Sequence, residues 1–177
     1  MFFNLKKKDF FYFGKNIDNK KSLLKFKNIS YIFLWDRSSD IKQVIAVRDF
    51  CKVNKIKFYI SNNVNLAKIV KADGIHLPPN YKRRVYNLDK KMEIIGTVHC
   101  HNDYFIKMSQ MCKSVFLSPL FFNKKYSKNK ILGPIRFNLI TKFWKIKVNA
   151  LGGIKLDNIK RIGVVKLSGV GGISLFC

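Results

Sequence analysis

The sequence predicts a shortened (β/α)8 TIM barrel, and two observations carry that expectation. Short apolar, β-rich runs alternate with more polar segments able to start helices, which is the pattern of a parallel sheet with helical crossovers. Eight such units follow in order, enough to close a barrel. With 177 residues the chain is well below the usual size for that fold, so its helices must be short and the eighth is expected to be missing. A doubly wound open sheet is the structural alternative. Residues 1–177 are expected to form one domain, long enough for a core.

The first strand is expected at Phe10–Phe13 (FFYF) and a short helix at Lys20–Phe26. Ser30–Trp35 (SYIFLW) reads as the second strand. Asp40–Lys52 opens on an acidic N-cap and sets Ile41, Val44, Ile45 and Val47 on one helical face. Lys57–Ile60 is the third strand. Asn62 or Asn63 caps a helix running to Val70. Gly74–Leu77 is the fourth strand, stopped by Pro78 and Pro79. Tyr81–Lys91 is too polar and broken for a helix. Glu93–Val98 is the fifth strand, Asn102–Lys113 a helix and Ser114–Ser118 the sixth strand. A basic loop leads to a weak helix at Phe137–Trp144. Lys147–Ala150 is the seventh strand, a helix starts at Asp157–Arg161, and Gly172–Leu175 is the eighth strand.

A formal net charge of +25 is extreme for this length. Such a field draws nucleic acid, acidic membrane or phosphorylated small molecules. Lysine far outnumbers arginine, and Asn, Ile and Phe are abundant, as AT-rich coding would produce. Solvated lysines are therefore the plain reading. No RNP, KH, zinc-finger or helix-turn-helix signature is present, so nucleic-acid binding is expected only as nonspecific charge. No apolar run approaches a membrane span. Lysines interrupt MFFNLKKKDFFYF before a signal-peptide core can form. The four cysteines, Cys51, Cys100, Cys112 and Cys177, form no CxxC pair and read as free thiols in a reducing cytoplasm.

Barrel function sits on the loops at the strand C-terminal ends. Gly152-Gly153 follows the seventh strand, where barrels often bind phosphate and where glycine lets backbone N–H groups approach an anion. The bland alternative is an ordinary turn. Phe121–Lys130 (FFNKKYSKNK) gathers Lys124 and Lys125 between Ser118 and Gly133, either as a clamp for a pyrophosphate or as a solvated loop. Arg37 follows the second strand and suits bidentate phosphate contact. His76, His99 and His101, with Cys100, fall at or after strands four and five, but without metal-ligand spacing.

Four segments in order, ADGIHLP (72–78), IGTVH (95–99), VFLSPLF (115–121) and NALGGIKLDNI (149–159), resemble the thiamine phosphate synthase family and the related thiazole tautomerases. The resemblance implies a (β/α)8 barrel that joins a pyrimidine methyl pyrophosphate to a thiazole phosphate. Pyrophosphate leaves with Mg²⁺ help, a pyrimidine carbocation forms, and the thiazole nitrogen attacks. It implies phosphorylated small-molecule substrates, Arg37 on pyrophosphate, and thiazole phosphate on the backbone of Gly152 and Gly153. Ser118-Pro119 stands for the family's Gly-Pro. The candidate catalytic residues are thus Arg37 and Ser118. The candidate substrate-binding residues are Asn62, His99, Lys124, Lys125, Gly133, Gly152 and Gly153.

The departures are chemical. The magnesium-binding aspartate of the third strand falls on Asn62, and the other falls near Tyr81; neither replaces a carboxylate on a hard cation. The metal ligands therefore stay unassigned. A tautomerase histidine would fall near Pro119, which transfers no proton. A barrel that binds phosphorylated thiazole or thiamine phosphate without turnover is the alternative function. An apolar seam between the seventh and first helices is expected to be uncovered, which favours a homo-oligomer.

Overall fold

The computed structural model describes residues 8–18, 20–124 and 126–176. Eight parallel strands close into a barrel in sequence order. They are β1 (Asp9–Gly14), β2 (Ile29–Phe33), β3 (Lys57–Ser61), β4 (Gly74–Leu77), β5 (Glu93–Val98), β6 (Ser114–Leu117), β7 (Lys147–Leu151) and β8 (Gly169–Gly172). Closure rests on β8 pairing with both β1 (Gly171 opposite Phe11) and β7 (Gly171 opposite Leu151). The open-sheet alternative is thereby excluded.

The helices are short, as the length requires: α1 (Lys20–Leu23), α2 (Ile41–Val53), α3 (Val64–Ile69), α4 (His101–Ser109) and α5 (Gly133–Thr141). Asp40 caps α2 by accepting from the Lys42 amide, and Asn63 caps α3 by accepting from Leu66. Asn63, not Asn62, is therefore the cap. Pro134 lies in the first turn of α5, where its missing N–H costs nothing, so the helix starts before Phe137 and ends at Thr141. The helix expected from Asp157 is a 3-10 segment, Ile159–Val164. Among the described residues no helix follows β8. None is long and apolar enough to cross a membrane.

Two shells of side chains follow from strand alternation. Outward-facing strand residues such as Phe58, Ile75, Val115 and Val148 form, with helix residues such as Val44, the core between sheet and helices. Inward-facing Phe11, Phe13, Ile32, Tyr59, Ile95 and Phe116 fill the lumen. Phe116 meets Phe11 edge-on at 4.9 Å and Phe13 at 5.3 Å.

Three expectations are corrected. The eighth strand is Gly169–Gly172, not Gly172–Leu175. A Cβ on Gly171 would come within 2.9 Å of Phe13 and 3.1 Å of Phe116, so bulky lumen rings leave room only for glycine at position 171. The seam beside β1 is not bare: Phe176 is buried and packs on Phe26 at 4.8 Å and Tyr12 at 5.5 Å. Large apolar residues nonetheless stay exposed on both flanking segments, Leu24 just after α1 and Val164 at the end of the 3-10 segment, with others such as Ile135, Leu139 and Phe143 at four-residue spacing on α5 and just beyond it. Finally, α4 ends at Ser109, short of Lys113.

No helix bridges β4 and β5, as the broken sequence at 81–91 predicts. The connection is instead held from α4. The buried Lys107 ammonium donates to the carbonyls of Pro78 (2.9 Å) and Tyr81 (2.8 Å), and Gln110 donates to Tyr81 (3.0 Å) and Arg83 (2.8 Å). Burial lowers the Lys107 pKa from its ordinary value, and the two carbonyl dipoles offset part of that cost.

Candidate phosphate-binding rim

At the strand C-terminal ends, the loops after β6 and β7 lie against one another. The Leu120 amide donates to the Leu151 carbonyl (2.9 Å), and Phe121 donates to Gly152 (3.0 Å). From the other side, Leu132 donates to Pro119 (3.1 Å) and Gly133 to Leu120 (2.9 Å). The strip 119–121 is thus fixed between the end of β7 and the start of α5.

That docking explains the glycine pair physically. Gly152 and Gly153 adopt φ of 92° and 69°, the left-handed region where a Cβ is strained. A Cβ on Gly153 would also come within 2.4 Å of the Phe121 carbonyl oxygen. One on Gly152 would sit 2.9 Å from Pro119 Cα and 3.0 Å from Ser118 Oγ. Among the described residues, the amides of Gly153 and Ile154 donate no hydrogen bond. The loop after β8 adjoins them, since a Cβ on Gly172 would lie 3.9 Å from the Ile154 carbonyl. Unpaired amides in a glycine turn between two barrel strands make a ready donor site for an anion.

Ser118 is buried at this junction, joined to Pro119 by a cis peptide. Its carbonyl lies 2.8 Å from His99 Nδ1. A carbonyl only accepts, so Nδ1 carries a proton. The His99 amide donates to Asp103 (2.8 Å), and the Tyr126 ring lies 5.7 Å from the imidazole. The structure therefore brings together Ser118, His99, Gly133, Gly152 and Gly153. Lys124 is exposed on the neighbouring loop, and Lys125 lies outside the described residues. Arg37 and Asn62 are exposed on the loops after β2 and β3, three to four strands round the barrel from β6 and β7.

The histidines do not converge. His76 is buried in the lumen, with Nδ1 2.9 Å from Ser61 Oγ and Nε2 2.8 Å from Thr97 Oγ1. Burial, aided by the Lys107 charge, pushes its pKa down to about 3, so it is a neutral structural group. His101 accepts at Nδ1 from the Trp144 indole (3.2 Å). Cys100 is exposed and precedes α4. The buried roles of His76 and Lys107 were not readable from spacing, because their partners come from other strands and loops.

Comparison with known proteins gives these features a lineage. Residues 30–176 match the profile of the family described as thiamine monophosphate synthase. The chain belongs to that family. A thiamine-phosphate synthase of Flavobacterium psychrophilum is 31% identical over 117 residues, which cover 61% of this chain and 57% of that protein. The match thus spans little more than half the length of that curated relative. A thiamine phosphate pyrophosphorylase from Pyrococcus furiosus shares the fold with a TM-score of 0.72, at 16% identity, over 96% of this chain and 87% of that one. One from Bacteroides thetaiotaomicron gives 0.64 at 15% identity, over 95% and 83%.

The thiamine monophosphate synthase family typically uses Mg²⁺, and the donor set here does not fit it. After β3 and β4, Asn62 and Tyr81 offer no carboxylate oxygen. The Asp36 carboxyl is engaged by Lys15 and by the hydroxyls of Ser38 (2.7 Å) and Ser39 (3.0 Å). Those hydrogen bonds, that of Lys15 first, hold it well below the usual carboxylate range. Asp103 is tied to the His99 amide on a loop three strands away. Among the described residues no three His, Cys, Asp or Glu side chains form a group suited to a metal. A hard dication lacks its anionic oxygens at this rim.

Proposed function

We propose that this chain binds a phosphorylated thiazole at the rim and joins it to a pyrimidine methyl pyrophosphate, making thiamine phosphate. The observation that supports this most is the pair of unbonded amides at Gly153 and Ile154, beside the end of β8 in a member of the thiamine monophosphate synthase family. The phosphate of the thiazole rests on those amides. In the reaction, the C–O bond between the pyrimidine methylene and pyrophosphate breaks, and pyrophosphate keeps the electron pair. The thiazole nitrogen then donates its pair to the methylene carbon. Arg37, with Lys124 and Lys125, supplies the positive charge that pyrophosphate needs as it leaves. Asn62 and His99 contact the substrates through neutral polar atoms, Ser118 lies against the reacting groups, and Gly133 shapes the lysine loop. Synthesis from phosphorylated small molecules fits a cytoplasmic protein.

The donor set favours a second reading in which the barrel binds phosphorylated thiazole or thiamine phosphate without turnover. Asparagine and tyrosine in place of two carboxylates support it. One experiment separates the readings: both phosphorylated precursors are mixed with excess purified protein, with Mg²⁺ or with EDTA, and thiamine phosphate is measured by mass spectrometry. Product above the protein-free control in both mixtures supports metal-independent synthesis. Binding of thiazole phosphate without product supports the second reading. Neither product nor binding, from folded protein, ends both.

A further inference from the structure

The opposite end of the barrel carries a cavity that the rim chemistry does not use. It has a volume of about 330 Å³ and opens at the strand N-termini. Barrels use that face for stability, yet this one is lined by Lys27, Lys55, Lys57, Lys113 and Lys147. Only two carboxylates, Asp9 and Glu93, share the cavity. Five lysines against two carboxylates leave three uncompensated positive charges.

The pairing pattern sharpens the imbalance. Glu93 Oε1 accepts from both Lys57 (3.0 Å) and Lys113 (2.5 Å), while Oε2 accepts from the buried Tyr59 hydroxyl (2.6 Å). Both Glu93 oxygens are therefore engaged. Lys27, Lys55 and Lys147 have no carboxylate partner among the described residues. Below them the wall is polar. Ser30, Ser114 and Asn149 are buried, and Asn149 spends one amide hydrogen on Ser114 Oγ (3.3 Å). Its second amide hydrogen and the Ser30 hydroxyl meet no acceptor among the described residues. Unpaired donors beneath unpaired ammonium groups match one kind of occupant, a compact oxyanion with several acceptor oxygens.

We infer that the N-terminal mouth of the barrel is a second anion site, which takes the phosphate group of a small phosphorylated molecule. Lys27, Lys55 and Lys147 supply charge at the opening, while Ser30, Ser114 and Asn149 offer neutral donors beneath. Lys57 and Lys113 are held back by Glu93 and frame the site. From Lys147 to Gly152 the chain advances about 17 Å along β7 at the usual strand rise, so this site is separate from the rim.

The test uses the full chain labelled with ¹⁵N, titrated with inorganic phosphate and separately with glycerol phosphate, with ionic strength held constant by chloride. The expected result is saturable shift changes at the amides of Asp9, Ser30, Ser114, Lys147 and Ser168. Equal affinities mark the phosphate group as the whole epitope; a tighter ester adds contact with the apolar floor at Phe11 and Ile95. Both support the site. Replacing Lys27→Ala and Lys147→Ala together should weaken binding at these amides at least tenfold. Replacing Lys142→Ala and Lys160→Ala, which removes equal charge elsewhere, should change it less than twofold. Both pairs are exposed, so folding is preserved. The inference is overturned by shifts confined to 152–154 and 173–174, by changes spread over all lysines without saturation, or by equal losses in the two double variants. Shifts at the mouth with none at the rim would instead sink the thiazole phosphate reading and leave this one standing.

Discussion

Replacing Gly153→Ala tests how the rim is built. The residue sits at φ 69°, and its Cβ would lie 2.4 Å from the Phe121 oxygen, 2.5 Å from the Phe121 carbonyl carbon and 2.5 Å from the Phe122 oxygen. All three are backbone atoms, so no side chain can rotate away. The left-handed conformation costs an alanine about 1–2 kcal/mol, and forcing atoms into a packed site adds about 1–3 kcal/mol. The stiffer unfolded chain returns about 0.4–1 kcal/mol. The net loss is about 1–4.5 kcal/mol, centred near 3, or roughly 5–15 °C in Tm around that centre for a chain of this size. Gly133 is the control: its φ is 64°, but nothing lies within 4 Å of its Cβ position. Gly133→Ala therefore bears the conformational cost alone, about 1 kcal/mol after the unfolded-state return. Urea unfolding of both variants measures the difference. Equal losses, or a Gly153→Ala loss under about 0.5 kcal/mol, would refute the docking of loop 7 on the Phe121 backbone.

Three further outcomes follow from charge and burial. Burial works to raise the Glu93 carboxyl, but hydrogen bonds from Lys113, Tyr59 and Lys57 outweigh it and hold the pKa at about 2 against an ordinary 4.5. Its contribution is present above the ordinary value and lost as pH falls through about 4.5 towards 2, so Glu93→Gln should flatten that acid limb in Tm against pH. His76 resists protonation down to about 3 while its unfolded counterpart takes a proton near 6.5; stability should fall as pH drops from 6.5, with a slope approaching about 1.4 kcal/mol per pH unit. His76→Gln should remove that slope from urea midpoints at pH 7, 6 and 5, and matching slopes in both proteins would contradict a neutral lumen histidine. Lys107→Met keeps the buried stem but removes the ammonium's bonds to the Pro78 and Tyr81 carbonyls, which keep only the Tyr81 amide (3.1 Å) and Gln110 (3.0 Å) as donors; a loss of about 1–3 kcal/mol and faster amide exchange at 80–84 are expected.

Seven strands were legible because each is an apolar run bounded by polar or glycine punctuation. The eighth was displaced by three residues because GVGG carries a single apolar residue, Val170, among three glycines. Its strand character comes from its neighbours: β1 and β7 supply the ladders, and Phe13 and Phe116 exclude any side chain at Gly171. The start of α5 was missed although Pro134 signals a first turn. At the rim, the position of Gly152-Gly153 was readable from strand order alone. That loop 6 presses on the pair through Phe121 was not, since nothing local encodes a contact across more than thirty residues. Lys107 shows the same limit from the other side. A lysine in an amphipathic helix reads as solvated, and only the missing helix between β4 and β5 turns it into a buried staple.

The lumen decides how the two ends of the barrel relate. Phe11 meets Phe116 at 4.9 Å, Phe116 meets Phe13 at 5.3 Å, and Phe13 meets His76 at 5.4 Å, all edge-on. Ser61 and Thr97 occupy both nitrogens of His76. A chain of packed rings ending in a neutral imidazole offers no polar path through the barrel, and close-packed interiors leave no room for water to make one. An anion at the N-terminal mouth therefore acts on the rim only through the backbone of shared strands. β7 is the most direct of these, since Lys147 and Asn149 line the mouth and Gly152 follows its last residue. It follows that substitutions at Lys27 and Lys147 should alter phosphate binding at the mouth while leaving the Gly153 and Ile154 amides in place. The two anion sites can then be titrated one at a time in the same protein.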